Sequence, residues 1–188
     1  MKPNWFIGLP VSAGSWFSAV IAGVPHGVRV FHPLDLHLTV AFLGACSPSA
    51  ARRGWDALEG SAHEAIEARL GGVRGMGNRR RPSAYSLTLA EGHGETAALS
   101  RILGQWRALI MPAAGAPEDP RPPLPHITVA RPPRKADGAQ RAAAQVWLDG
   151  QTIPPVTVKL DRVALYTWGD ERGRRRFQIV AERPLDGG

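Results

Sequence analysis

A short pattern written twice constrains this chain more than any other feature. Leu36-His37-Leu38-Thr39-Val40-Ala41-Phe42-Leu43-Gly44 carries a His-x-Thr core, and Pro125-His126-Ile127-Thr128-Val129-Ala130-Arg131 repeats it in the second half. Both copies are rich in β-branched and apolar residues, the composition of buried strands. Side chains two apart on a strand share a face. His37 and Thr39 therefore point one way while Leu38 and Val40 enter a core, and His126 and Thr128 repeat this over Ile127 and Val129. One such pair would read as polar residues on a solvent face. Two copies half a chain apart, each leading into an apolar run, imply two imidazoles and two hydroxyls on rigid elements.

The doubled pattern resembles the 2H phosphoesterase superfamily, which carries two His-x-Thr/Ser motifs. The longer stretches, His37 to Gly44 and Pro125 to Arg131, are similar to its RNA 2′,3′-cyclic phosphodiesterase branch, also called 2′-5′ RNA ligase. The likeness includes an N-terminal strand, Trp5 to Leu9, and a closing Leu165-Tyr166 strand and hairpin, so it spans nearly the whole chain. It implies a single domain over residues 1–188, α+β and bilobal. Two pseudo-symmetric lobes of mostly antiparallel sheet with flanking helices would surround a central cleft, each lobe giving one His-x-Thr strand.

Opening a cyclic phosphodiester requires one proton to leave the attacking water and another to reach the departing sugar oxygen. Histidine, with an ordinary pKa of about 6.5, can serve either step. Threonine hydroxyls suit the nonbridging oxygens, where charge sits in the transition state. Residue spacing does not say which histidine does which. The resemblance implies His37 as proton donor to the 3′ oxygen and His126 as acceptor from water, with a 2′-phosphate as product. Thr39 and Thr128 are the expected phosphate contacts. Arg131 could add charge, although strict alternation turns it away from His126 and Thr128. Phe42 falls one residue off the alternation of His37 and Thr39; its family counterpart can meet the substrate base, and a core position is the other reading. As partly exposed cleft residues, both histidines should tolerate replacement by alanine with little loss of stability.

Other readings remain open. Water as nucleophile gives hydrolysis, whereas a 5′-hydroxyl would give 2′-5′ RNA ligation at the same site. A non-catalytic RNA-binding module would need a sheet of exposed aromatics or a glycine-rich clamp, and neither motif is spelled out. A metal-dependent phosphoesterase would need clustered carboxylates and histidines. Asp35, two residues before His37, is the one acidic neighbour placed to share its face. The expectation is no metal and no cofactor.

The net charge of +7 favours a polyanionic partner, here RNA or an oligonucleotide ending in a 2′,3′-cyclic phosphate. Lysine contributes only Lys2, Lys135 and Lys159, so the charge is almost all guanidinium, which suits bidentate phosphate contacts. Arg79 to Arg81 and the cluster Arg172, Arg174, Arg175 and Arg176 could line a cleft rim or be solvated. A coding bias towards arginine would explain them equally well. One cysteine, Cys46, excludes an internal disulfide and reads as a space-filling residue. No stretch approaches the ~20 apolar residues of a membrane span, and Pro10 and Gly14 interrupt the start, so neither an anchor nor a signal peptide is expected. A cytoplasmic monomer is the expectation.

Along the chain, the spacing of Trp16, Phe17, Val20 and Ile21 predicts a helix over 12–22, and Pro25 to Pro33 a loop extended near Val28 to Phe31. Ser47-Pro48-Ser49 predicts a helix start, running to about His63. Ile66, Ala68 and Leu70 suggest a strand or a helix tail. Gly71 to Pro82 reads as a loop. A strand around Tyr85 to Leu89 and a helix over 95–111 follow. Pro112 to Pro125 is expected to carry no regular structure. A helix over 139–148 comes next, with strands at 156–160, 163–168 and 177–181 and a turn at 169–173.

Overall fold

A computed structural model describes residues 2–61, 64–90, 94–153, 155–169 and 175–185. Among these residues, nine strands form one open sheet: β1 (Asn4–Pro10), β2 (Arg29–Val30), β3 (His37–Ala45), β4 (Ile66–Asn78), β5 (Arg81–Leu89), β6 (His126–Arg131), β7 (Thr157–Leu160), β8 (Arg162–Trp168) and β9 (Phe177–Pro184). Among the described residues, four α-helices accompany them: α1 (Ser15–Ile21), α2 (Pro48–Asp56), α3 (Glu95–Ala114) and α4 (Gly138–Asp149). The sheet order is β7-β4-β5-β6-β3-β1-β8-β9, with β2 added to β6, and all its pairings are antiparallel.

The order divides into two halves at the β6–β3 junction. That seam is narrow, with Leu38 opposite Ile127 as its one register pair. The quartet β3-β1-β8-β9 lies on one side and β6-β5-β4-β7 on the other, each led by a His-x-Thr strand. The expected bilobal α+β arrangement is present, but the lobes are not the two halves of the chain. After β1 the chain crosses to place β2 on β6, returns for β3, crosses again for β4 and β5, and comes back only for β8 and β9. Both lobes share one hydrophobic core, in which Leu38, Val40, Ile127 and Val129 are buried.

Local chemistry sets the element ends. Ser47 caps α2, its Oγ accepting from the Ala50 amide at 3.2 Å, with Pro48 in the first turn. The capping box of Asp137 and Gln140 starts α4. The helix from Ser47 stops at Asp56, and His63, its expected limit, lies outside the described residues. Two expectations are corrected. Gly71 to Pro82 is not a loop: β4 runs to Asn78 and pairs with β5, through register shifts after Leu70 and Met76 that absorb the glycines. The turn is set by Asn78, whose Oδ1 accepts from the amides of Arg80 and Arg81, and by Gly77, whose φ of +87° suits only glycine well. The proline-rich crossover also begins later than expected. Helix α3 continues through Pro112 because Met111 and Ala114 are buried and the amides of Gly115 and Ala116 bond the final carbonyls. The expected turn at 169–173 falls mostly outside the described residues.

The seam makes Ile127 a test of the fold. Its side chain is fully buried, so Ile127→Ala should cost about 2–5 kcal/mol of stability by denaturant titration. Val180→Ala, at a half-exposed position on β9, should stay within about 0.5 kcal/mol.

Candidate functional site

Antiparallel pairing at Leu38 and Ile127 has a direct consequence for the polar residues beside them. Carried one residue either way, the register sets His37 against Thr128 and Thr39 against His126. Leu38 and Ile127 are buried in the core, so all four polar side chains take the opposite face of the sheet. Two motifs distant in sequence become one cluster about a local two-fold axis.

Each imidazole is held in the same way. His37 Nδ1 donates to the carbonyl of Asp35 at 2.7 Å, and His126 Nδ1 donates to the carbonyl of Leu124 at 2.7 Å. A carbonyl only accepts, so Nδ1 carries a proton in both rings, and each neutral ring keeps its lone pair at Nε2. Both rings therefore have the same tautomer and the same reactive atom. Thr128 is oriented by Ser86 on the neighbouring strand, with the two hydroxyl oxygens 3.1 Å apart.

The surroundings of the two rings differ. His37 is 9% exposed and boxed by three aromatic rings: Phe6 at 4.6 Å, Phe177 edge-on at 5.2 Å and Tyr166 at 5.3 Å between centroids. Gly8, opposite Thr39 on β1, leaves room for this packing. A Cβ there would lie 2.9 Å from the Leu38 carbonyl oxygen and 3.5 Å from His37 Cδ2. Burial lowers the His37 pKa to about 4; its bond to Asp35 and the Asp35 charge pull it up, while His126 and Arg131 push it down. His126 is only half-buried. The expectation that both histidines are partly exposed cleft residues is thus corrected for His37, whose ring is part of the packing.

Asp35, the residue considered above as a metal contact, is occupied otherwise. Its carboxylate is 2% exposed and accepts from the amide of Arg176 at 2.6 Å and that of Phe177 at 3.3 Å, with Arg175 Nε 3.8 Å away. It ties the start of β9 to the turn before β3. One residue thus holds His37 through its carbonyl and the edge-on Phe177 ring through its carboxylate. Among the described residues, no group of three or more His, Cys, Asp or Glu is placed to hold a metal ion.

Arg131 ends β6 opposite Arg29, with its guanidinium 5.7 Å from the centre of the Phe31 ring. It is exposed, yet its charge reaches His37. Phe42 is corrected by a bulge. Gly8 pairs with Thr39 and Ile7 with Ala41, so β3 gains a residue there and Phe42, paired with Phe6, returns to the His37 face. It stands 59% exposed beside the site. Of the turn arginines, Arg175 bonds the Leu34 carbonyl and Arg176 lies 5.2 Å over the Trp168 ring; Arg172 and Arg174 lie outside the described residues. Cys46 is half-buried with a raised thiol pKa, as suits an inert thiol. Sequence reasoning missed Gly8, Ser86 and the ring box. Only the alternation of Ser86 with Leu87 hinted at one of them, because β1 and β5 meet the motif strands by pairing and β8 and β9 meet His37 by ring packing.

An antiparallel bilobal sheet with two His-x-Thr strands joined at its centre defines the class of the 2H phosphoesterases. A family model described as the 2′-5′ RNA ligase superfamily matches residues 25–172, and the chain belongs to that superfamily. It is 28% identical over 141 residues to the RNA 2′,3′-cyclic phosphodiesterase of Bacillus subtilis (strain 168), covering 70% of this chain and 72% of that protein. The crystal structure of a phosphoesterase shares the fold with a TM-score of 0.71 at 20% identity, over 98% of this chain and 99% of that one. The crystal structure of E. coli LigT complexed with 3′-AMP gives 0.70 at 21% identity, again over 98% and 99%.

Burial of His37 has a measurable consequence. In the fold the ring refuses a proton down to about pH 4, whereas in the unfolded chain it titrates near 6.5. Its contribution is therefore fully present above pH 6.5 and is lost as the pH falls towards 4, by up to about 3 kcal/mol. Denaturant titrations at pH 7, 5.5 and 4 should show this loss in the wild type. His37→Phe, which keeps an aromatic ring but cannot titrate, should remove it.

Proposed function

We propose that this protein is a phosphodiesterase that opens the 2′,3′-cyclic phosphate at the end of an RNA or oligonucleotide, leaving a 2′-phosphate. Membership of the superfamily and the likeness to the B. subtilis enzyme support phosphodiester chemistry. The observation that carries the reading is the pair of matched Nδ1-to-carbonyl bonds, which leave two Nε2 atoms for substrate across the Leu38–Ile127 axis.

In the proposed step a water oxygen attacks phosphorus and the P–O3′ bond breaks. One histidine takes the proton of the water and the other gives a proton to O3′. Thr39 and Thr128 donate their hydroxyls to the nonbridging oxygens, and Arg131 adds positive charge nearby. Each positioned acid or base contributes about 10²–10⁴-fold. Family likeness makes His37 the donor and His126 the acceptor, a division that requires the bound phosphate anion to charge His37. The aromatic box favours the reverse division, since it holds His37 neutral, the state an acceptor needs.

Incubation with a short RNA ending in 2′,3′-cyclic phosphate should yield a 2′-phosphate end, identified by mass and by resistance to a 3′-phosphatase. A 2′-5′ linked product in the presence of a 5′-hydroxyl RNA would instead favour ligation. His126→Ala and His37→Gln should each lower turnover by about 10²-fold or more. Glutamine is preferred at His37 because alanine would also empty part of the ring box. A nucleoside 2′-phosphate nitrophenyl ester separates the roles, because its leaving group needs no proton. The variant that regains activity on this ester has lost the donor, and recovery in neither would remove the shared proton-transfer scheme.

The proposed chemistry also needs no cation. Turnover should persist in excess EDTA. Loss in chelator that Mn²⁺, Zn²⁺ or Mg²⁺ restores would overturn this part of the reading.

A further inference from the structure

Two residues flank the motif threonines across the sheet, and they differ. Strand β1 sets Gly8 opposite Thr39, and β5 sets Ser86 opposite Thr128. The two-fold axis at Leu38–Ile127 carries one position onto the other, because it exchanges β3 with β6 and their outer neighbours β1 with β5. The backbones match and the side chains do not. A Cβ on Gly8 would meet the Leu38 carbonyl oxygen at 2.9 Å and His37 Cδ2 at 3.5 Å, so packing of the imidazole keeps this position bare. Thr39 thus receives no hydroxyl from β1, whereas Thr128 Oγ1 lies 3.1 Å from Ser86 Oγ.

Ser86 is fully buried. A hydroxyl taken out of water costs free energy unless it is bonded, so a serine at this position calls for a partner. Thr88, its neighbour on the same face of β5, is buried too, but spends its proton on the Gly72 carbonyl at 3.2 Å. Ser86 is directed at the motif instead. Each hydroxyl has one proton to give. When Thr128 gives its proton to a phosphate oxygen, its own oxygen can bond Ser86 only by accepting. The chain then runs one way, from Ser86 to Thr128 to phosphate, and each bond polarises the next. A lone pair of Thr128 held by Ser86 fixes the hydroxyl rotor before substrate arrives. Thr39 must be oriented by the substrate itself.

We infer that Ser86 is a positioning residue for the reaction: it holds Thr128 as the preorganised donor to a nonbridging phosphate oxygen, so the two motif threonines are unequal. This rests on the proposed reaction. A cyclic diester carries one negative charge and its pentacoordinate transition state about two, so a fixed donor is felt more in the transition state than in the bound substrate.

The experiment is a set of double-mutant cycles. Ser86→Ala is made in the wild type, in Thr128→Val and in Thr39→Val. Each protein is assayed on a nucleoside 2′,3′-cyclic phosphate and titrated calorimetrically with inorganic phosphate in mildly alkaline buffer, where phosphate is a dianion. In the wild type Ser86→Ala should lower kcat about 3- to 10-fold, the worth of one neutral hydrogen bond, with KM within about twofold. Phosphate affinity should fall by a similar factor. In Thr128→Val the same substitution should change neither quantity, and in Thr39→Val it should cost as much as in the wild type. A serine with a purely structural role would cost the same in all three backgrounds. That result, or no loss in the wild type, overturns the assignment. If Ser86→Ala does not fold, Ser86→Cys, close in size and a much weaker donor, completes the cycles. A wild type inactive on the cyclic phosphate that still shows Ser86–Thr128 coupling in phosphate binding would refute the proposed reaction and leave the pairing standing. Absence of coupling in both readouts overturns the role of Ser86 itself.

Discussion

Everything in the site depends on one backbone pairing, Leu38 with Ile127. Antiparallel register has a local two-fold axis, so any motif on one strand is met by the same motif on the other, inverted. The two histidines and two threonines need no loop or hinge to bring them together. They are placed by main-chain hydrogen bonds and by the burial of Leu38 and Ile127 beneath them. Rigid elements hold such a cluster more closely than loops could. The seam is narrow, one register pair between two wide half-sheets.

Symmetry of placement is broken by environment. Both rings donate Nδ1 to the carbonyl two residues back, yet His37 lies among Phe6, Tyr166 and Phe177 while His126 keeps contact with solvent. Desolvation lowers the proton affinity of His37, and it arises from packing on β1, β8 and β9 rather than from the motifs. Asp35 maintains it: its carboxylate fixes the start of β9, and hence Phe177, to the residue whose carbonyl aims His37.

Charge is distributed by the same logic. Arg175 is used by Asp35 and Leu34, so it is structural, whereas Arg176 next to it turns outward to Trp168. Adjacent arginines in a run of three thus have separate duties, decided by which carboxylate β9 passes. The cations that collect beside the site come from β2, β5, β6 and α4, segments far apart in the chain. A net charge of +7 says nothing of where on the surface the cations gather.

The amino-acid sequence by itself determined the two motif strands, the residues that face the site within each, the helices led by Ser47 and Glu95, and the α+β class. Those properties follow from short-range rules: alternation, capping and helical period act within a few residues. Only the tertiary structure decided what depends on pairing between distant strands. The bulge that returns Phe42 to the His37 face is invisible without β1 opposite it, and the strand through Gly71 to Asn78 is held by β5 against its own weak propensity. Interleaving of the lobes, the ring box that keeps His37 neutral and the gathering of arginines beside it all require residues more than a hundred positions apart to meet. Local sequence carries no signal for such meetings, because their free energy comes from shared burial and register, which exist only once the sheet has formed.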